Sequence, residues 1–271
     1  MNEIKIANYT KEEVLMAVKG VHLTFDKPIL RDINFAIHNI VRPHIAQGQV
    51  VSLIGRSGIG KTQLFKILAG LLVPDSGSVT LGVDQRTVAA GDVGMVTQNY
   101  LLFNHRSVKE NLKLALRHGL RQLSHAEQEQ LIAGFAENFD LTEHLNKYPQ
   151  QLSGGQRQRA SIIQQVLTGH KFILLDEPFS GLDALMIDKV MALLQKISTM
   201  DELNTLVIIS HDVENALALS DTAYILAREP GKDGSTITET LDLMSMGFAW
   251  DPAIRQRVDF QRLVDQIKHK I

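Results

Sequence analysis

Gly55-Arg56-Ser57-Gly58-Ile59-Gly60-Lys61-Thr62 decides how this chain is read. The stretch matches the pattern G-x-x-x-x-G-K-[ST] in full. Before it runs Gln49-Val50-Val51-Ser52-Leu53-Ile54, a short β-branched apolar strand. After it runs Gln63-Leu64-Phe65-Lys66-Ile67-Leu68-Ala69-Gly70, apolar at helical spacing and stopped by a glycine. A strand, a glycine loop and a helix N-terminus together make an anion site. Backbone N–H groups point into the loop and the helix dipole favours negative charge there. The glycines let the backbone wrap a phosphate with no Cβ in the way. Lys61 then reaches the β- and γ-phosphates as a point charge, and the Thr62 hydroxyl holds Mg²⁺. Residues 55–63, including Gln63, are therefore the expected nucleotide cradle.

The 271 residues suffice for one large α/β domain or two small ones, with a sizeable core. Hydrophobic content of 44% and charged content of 21% are those of a globular protein. The formal net charge of -2 gives no global field to draw the chain to nucleic acid or acidic lipid. With no cysteine, disulfides, thiol catalysis and Cys-based zinc sites are excluded. No apolar run approaches the roughly eighteen residues of a membrane span. Met1-Asn2-Glu3-Ile4-Lys5 carries an acid early and starts no signal-peptide core. The expectation is a cytoplasmic chain that does not itself cross a bilayer.

Outward from the loop, strands alternate with helices. Residues 18–25 and 33–37 read as strands around the turn Asp26-Lys27-Pro28, and 42–48 as a loop. His38 and His44 read as surface or loop residues without metal spacing. Pro74-Asp75-Ser76-Gly77 is a turn, followed by strands at 78–81 and 93–98, the second ending on Gln98. From 107 to 148 the pattern is helical, with Val108, Leu112 and Leu116 on one face and Leu131, Phe135 and Phe139 on another. Phe172-Ile173-Leu174-Leu175 is a buried-type strand closing on Asp176-Glu177, and a carboxylate delivered beside a phosphate loop is what Mg²⁺ needs. Residues 184–198 are a helix, 205–210 a buried strand ending at His211, 213–219 a helix and 223–227 a strand. Residues 228–235 are a polar loop. The tail 252–270 is an amphipathic helix with Ile254, Val258, Leu263, Val264 and Ile267 on its apolar side. This order implies a mainly parallel sheet with helices on both faces. The phosphate loop, Gln98, Asp176, Glu177 and His211 then meet at the carboxyl ends of the strands.

Leu152-Ser153-Gly154-Gly155-Gln156 opens a further polar helix after the helical insert. At this point the chain resembles the ATP-binding cassette (ABC) family over about residues 18–227. The resemblance implies an α/β fold: a P-loop NTPase core at 1–98 and 160–227, an inserted helical subdomain at 99–159, a small antiparallel N-terminal β part and a C-terminal extension at 228–271, all one domain. It implies ATP and Mg²⁺ as cofactors, with Thr62, Gln98 and Asp176 around the metal. It makes Glu177 the general base, with His211 and Gln98 as further catalytic groups. Phe25 falls where the family stacks adenine. Asp183, in Ser180-Gly181-Leu182-Asp183, is the D-loop acid. Ser153, Gly154, Gly155 and Gln156 are the signature that reads the γ-phosphate on a second copy of the chain, head to tail. Ile59 stands where the family usually has a small or polar residue. Gln164 stands where many members carry arginine.

Tyr148-Pro149-Gln150-Gln151-Leu152 resembles bacterial importer cassettes, and 218–231 is similar to the nitrate, sulfonate and taurine importers. The resemblance thus implies an ATPase on the inner face of the cell membrane, powering a membrane permease through ATP-driven dimerisation and not binding nucleic acid. The alternative is a soluble or regulatory ABC ATPase with a non-transport partner. Tyr100-Leu101-Leu102-Phe103, next to Gln98, is the expected dock for the permease.

Overall fold

The computed structural model describes residues 9–42, 48–119 and 123–271. The opening residues 1–5 and most of the 42–48 loop, His44 included, lie outside them.

Two sheets share the core. In the first, β1 (Thr10–Thr24) and β2 (Pro28–Val41) form a long antiparallel hairpin, from Thr10 opposite Val41 to Thr24 opposite Pro28. Both strands extend well past the expected 18–25 and 33–37, because bulges along the pairing break the strict alternation that marks a strand in sequence. β3 (Gln49–Ile54) leads into the phosphate loop. β4 (Ser76–Leu81) pairs with the other edge of β1, and β5 (Arg86–Thr87) closes this sheet in the order β2-β1-β4-β5.

The second sheet takes in β6 (Gly94–Val96), β7 (Phe172–Asp176), β8 (Thr205–Ser210), β9 (Thr222–Ala227) and β10 (Thr236–Asp242), with β3 at its centre. Its order is β10-β9-β3-β8-β7-β6, parallel except for β10. The sequence pattern gives no sign of β10. Its Thr-Ile-Thr-Glu-Thr-Leu-Asp run is polar because it lies at a sheet edge and is only half covered.

Seven α-helices lie among the described residues: α1 (Lys61–Leu68), α2 (Val108–His118), α3 (His125–Asn138), α4 (Gly154–Leu167), α5 (Ala184–Ser198), α6 (Val213–Leu219) and α7 (Val258–Lys270). The starts of α2, α3 and α4 carry a reciprocal cap, Ser107 with Glu110, Ser124 with Glu127 and Ser153 with Gln156.

The strands of the parallel sheet are buried on both sides, so period 2 divides each between two cores. Val50, Ile173, Leu175, Leu206 and Ile208 pack with α2, α4 and α5 through Leu112, Ile163 and Leu194. Val51, Leu53, Leu174, Val207 and Ile209 pack the other way, on Leu64 and Phe65 of α1 and on Met16, Val18 and Ile33 of the first sheet. The second face is therefore covered by one helix and a sheet. Ile54, Ala223 and Ile225 pack on α6 and α7. In α7 the buried residues are Phe260, Val264 and Ile267, while Val258 is exposed. The expected apolar stripe is shifted there by the helix starting only at Val258.

Candidate functional site

Ile54 of β3, Asp176 of β7 and Ser210 of β8 end their strands on the same side, and Gln98 stands two residues past the end of β6. The segments leaving these strands converge on a cavity of about 390 Å³. Phe25, Ile29, Ser57, Gly58, Gly60, Lys61, Thr62, Gln63, Gln98, Asp176, Glu177 and His211 line it. Ile29 belongs to no sequence motif. It lies near the start of β2, across the hairpin turn from Phe25, and only that turn brings it to the cavity.

The phosphate loop is built to receive an anion. α1 starts on Gly60, with φ 111° and no side chain capping it, unlike α2, α3 and α4. Its first N–H groups have no intrahelical partner. The Gly60 N–H also donates to no acceptor among the described residues. A Cβ on Gly55 would lie 2.6 Å from the Leu226 carbonyl oxygen, so only glycine lets the loop turn there. Lys61 folds back over the loop and donates from Nζ to the carbonyls of Gly55 at 2.9 Å and Arg56 at 3.1 Å. Of the remaining loop residues, Arg56 is exposed and Ile59 packs with the apolar cluster around α1. That packing accounts for an apolar residue at position 59.

Glu177 sits at φ 51°, a left-handed conformation that side chains other than glycine's adopt at a cost. The turn sends its N–H to the Ile209 carbonyl at 2.8 Å. Its Oε2 accepts from Ser210 Oγ at 3.1 Å, from the His211 N–H at 3.2 Å and from His211 Nδ1 at 2.8 Å. A carboxylate accepts only, so Nδ1 is the donor in this bond. Oε1 lies 3.2 Å from Lys61 Nζ. Burial works to raise the Glu177 carboxyl, but the His211 hydrogen bond and the Lys61 charge outweigh it and hold it below its ordinary value. Asp176 is the opposite case. Burial and then the neighbouring Glu177 charge raise its carboxyl, and Lys61 offsets only part of that. No hydrogen bond to its carboxylate occurs among the described residues, which leaves an under-compensated anion beside an anion-binding loop. A divalent cation relieves that arrangement. Thr62, Gln98 and Asp176 offer it three oxygens of the hard kind, the donor set of a Mg²⁺ held largely by phosphate.

The model of the ABC transporter family matches residues 38–180, more than half of the chain. The chain belongs to the ABC transporter family. It is 39% identical over 195 residues to the bicarbonate transport ATP-binding protein CmpC of Synechococcus elongatus, covering 72% of this chain and 29% of that one. It thus spans under a third of the length of that relative. It is 34% identical over 189 residues to the thiamine import ATP-binding protein ThiQ of Vibrio cholerae, covering 68% of this chain and 78% of that one. Among solved structures, a dimeric bacterial ABC transporter cassette superposes with a TM-score of 0.68 at 25% identity, covering 84% of this chain and 99% of that one.

The stretch expected to be the ABC signature lies apart from the cavity. Ser153, Gly154, Gly155 and Gln156 form the start of α4, and none of them lines the phosphate-loop pocket. Ser153 Oγ accepts from the Gln156 N–H at 3.3 Å and Gln156 Oε1 from the Ser153 N–H at 2.9 Å. Gly154 has open space around it, whereas a Cβ on Gly155 would lie 2.1 Å from Met186 Cε. Asp183 is also outside the pocket. Its carboxylate caps α5 by accepting from the Met186 N–H at 2.9 Å. The glycine-bearing starts of α1 and α4 thus differ: the first is uncapped and in the pocket, the second is capped by its own side chains and outside it.

Proposed function

We propose that this chain is the ATP-binding and ATP-hydrolysing subunit of a membrane transporter, of the importing kind. The observation that carries this reading is the open, uncapped start of α1 facing Gln98, Asp176, Glu177 and His211 across one cavity. In this reading residues 55–63 hold the phosphates, with Lys61 on the β- and γ-phosphates. Phe25, 56% exposed at the mouth of the cavity, packs its ring on the base. Mg²⁺·ATP, when bound, supplies the phosphoanhydride and a cation that neutralises charge on its phosphates. Thr62, Gln98 and Asp176 hold the cation. Glu177 takes the proton from the attacking water, and His211 keeps the Glu177 carboxylate ionised and turned to the site.

The second helix start, at Ser153–Gly155, reads the γ-phosphate held by another copy, so two chains close head to tail over two nucleotides. Support comes from its position outside the pocket of its own chain and from the dimeric cassette that superposes on this fold. The transporter reading is supported by relatives named for bicarbonate transport and thiamine import. No helix among the described residues is long and apolar enough to cross a membrane. In this reading, as the relatives named for transport and import suggest, the work of hydrolysis is passed to a membrane permease at the cytoplasmic face. Its dock is the segment after Gln98. Tyr100 and Leu102 pack on the core there, while Leu101 and Phe103 are 68% and 48% exposed.

The test uses the purified chain and membranes of its host. Mg²⁺-dependent phosphate release is expected from the wild type and not from Lys61→Ala. An integral membrane protein is expected to co-purify with the wild type and not with Leu101→Glu. Absence of turnover removes the ATPase reading; turnover without any membrane partner removes the transporter reading.

A further inference from the structure

We infer that Ser235, far outside the stretch matched to the family, is a positioning residue of the nucleotide site: it sets the direction of the Gly60 N–H. The role rests on the nucleotide-binding reading above.

Ser235 is fully buried at a three-way junction. Its N–H donates to the Ile29 carbonyl at 2.9 Å, and its own carbonyl accepts from the Arg31 N–H at 2.8 Å. These two bonds fasten the segment before β10 to the start of β2 as a short parallel bridge at Leu30. Gly234 allows this approach, with φ 78° and Arg31 Cβ 3.1 Å from where its own Cβ would stand. The hydroxyl is then left to reach the phosphate loop, and Ser235 Oγ donates to the Ile59 carbonyl at 2.6 Å.

That carbonyl belongs to the peptide unit joining Ile59 to Gly60. A trans peptide is planar, with its C=O and N–H pointing in opposite directions. Fixing the Ile59 oxygen on Ser235, on the outer side of the loop, therefore turns the Gly60 N–H inward. This N–H is unpartnered among the described residues, and Gly60 lines the cavity. Gly60, at φ 111°, has no Cβ to hold its peptide, so the unit is free to rotate unless something anchors it. Ser235 is the side chain that anchors the oxygen end. The same junction carries Ile29, which lines the cavity beside Phe25, so one residue ties both ends of the site together.

The experiment is calorimetric titration of the full chain with a non-hydrolysable Mg·ATP analogue, with melting temperature recorded in parallel. Ser235→Ala deletes the donor and leaves both backbone bonds. It is expected to raise Kd about 3- to 10-fold, the worth of one hydrogen bond in a preorganised site. Thr236→Ala is the control, since Thr236 Oγ1 bonds the Asp32 carbonyl from the same segment without touching the loop. Its Kd is expected to stay within about twofold, below one hydrogen bond's worth. Should Ser235→Ala fail to fold, Ser235→Cys replaces it with a near-isosteric weak donor and the same expected rise. Wild-type binding with an unchanged Kd in the Ser235 variant overturns the positioning role alone. An equal rise in Thr236→Ala also overturns it, because loosening the segment would then suffice. A wild type that binds no analogue overturns the nucleotide reading itself, and this role with it.

Discussion

Glu177 and Lys61 hold one another in this structure: Oε1 of the first lies 3.2 Å from Nζ of the second, with both side chains largely out of solvent. In the proposed function these two groups serve different atoms, Lys61 the phosphates and Glu177 the attacking water. In that reading, a nucleotide that takes Lys61 onto its phosphates also frees Glu177 to act. The pair as it stands keeps the largely buried Glu177 charge compensated by Lys61.

Glu177→Gln separates the two roles. The amide retains the shape and a hydrogen-bond acceptor for His211, but takes no proton. Mg·ATP affinity is expected to be unchanged or higher, since Lys61 loses a competing carboxylate. Turnover is expected to fall by at least about 10²–10⁴-fold, the range of general-base action. Phosphate release near the wild-type rate in steady state would assign the base elsewhere.

Asp176 carries a testable cost. Its carboxyl is raised in the folded chain by burial and by Glu177. The ionised form is therefore penalised by folding, and the penalty is present at neutral pH. It fades as pH falls through the raised folded value and is gone below the unfolded value. Asp176→Asn is expected to raise the nucleotide-free melting temperature at pH 7 by a few degrees. The difference from wild type is expected to shrink toward about pH 4 and below. Mg-dependent turnover is lost in the same variant. A nucleotide-free Asp176→Asn chain less stable than wild type at pH 7 would contradict this account of the site.

The phosphate loop, its strand and its helix were legible in the sequence because three local signals agree there: a β-branched run, glycines at fixed spacing and a helical period. The same holds for α5 and for Asp176, Glu177 and His211, whose meaning comes from standing at the ends of buried strands. Asp221 was not legible. It is fully buried, accepts from the Val50 N–H at 2.8 Å and Trp250 Nε1 at 2.7 Å, and is ion-paired with Arg42. Its partners are 171, 29 and 179 residues away, so no window of sequence contains the cluster. Ser235 escaped for the same reason, its hydroxyl reaching Ile59 across 176 residues. β10 escaped because its edge position leaves it polar, and Ile29 because only the hairpin turn brings it to the cavity.

The Asp221 cluster joins the C-terminal segment to the strand that feeds the phosphate loop. Burial raises the Asp221 carboxyl, with Arg42 as the main opposing influence. Arg42→Ala would leave that carboxylate buried without its counter-charge. The expected loss is about 3–5 kcal/mol, as for one half of a buried pair removed. Arg42→Ala with Asp221→Asn is expected to recover part of it. Denaturant unfolding followed at Trp250, the only tryptophan, measures both. A single variant within about 1 kcal/mol of wild type would mean that water or a backbone shift compensates Asp221.

The separation between the two helix starts leads to the sharpest test of how copies of the chain work together. The start of α1 lines the cavity, and the start of α4 does not. Ser153 is exposed, and open space surrounds Gly154, so a ligand presented from outside can approach both. If that ligand is the γ-phosphate held by a second copy, blocking hydrolysis should leave ATP bridging the pair. Glu177→Gln with Mg·ATP is then expected to scatter light as a dimer, and without nucleotide as a monomer. Ser153→Arg added to it places a long cation where the phosphate must meet a hydroxyl and two bare N–H groups. The dimer is expected to disappear. Nucleotide titration of the monomer is expected to stay within about twofold of the parent, less than one hydrogen bond's worth, because Lys61, Thr62 and Phe25 are untouched. Lys61→Ala behaves differently, losing nucleotide binding before any dimer can form. If Ser153→Arg instead weakens monomer binding as much as Lys61→Ala does, both helix starts serve one nucleotide in one chain, and the head-to-tail arrangement is wrong.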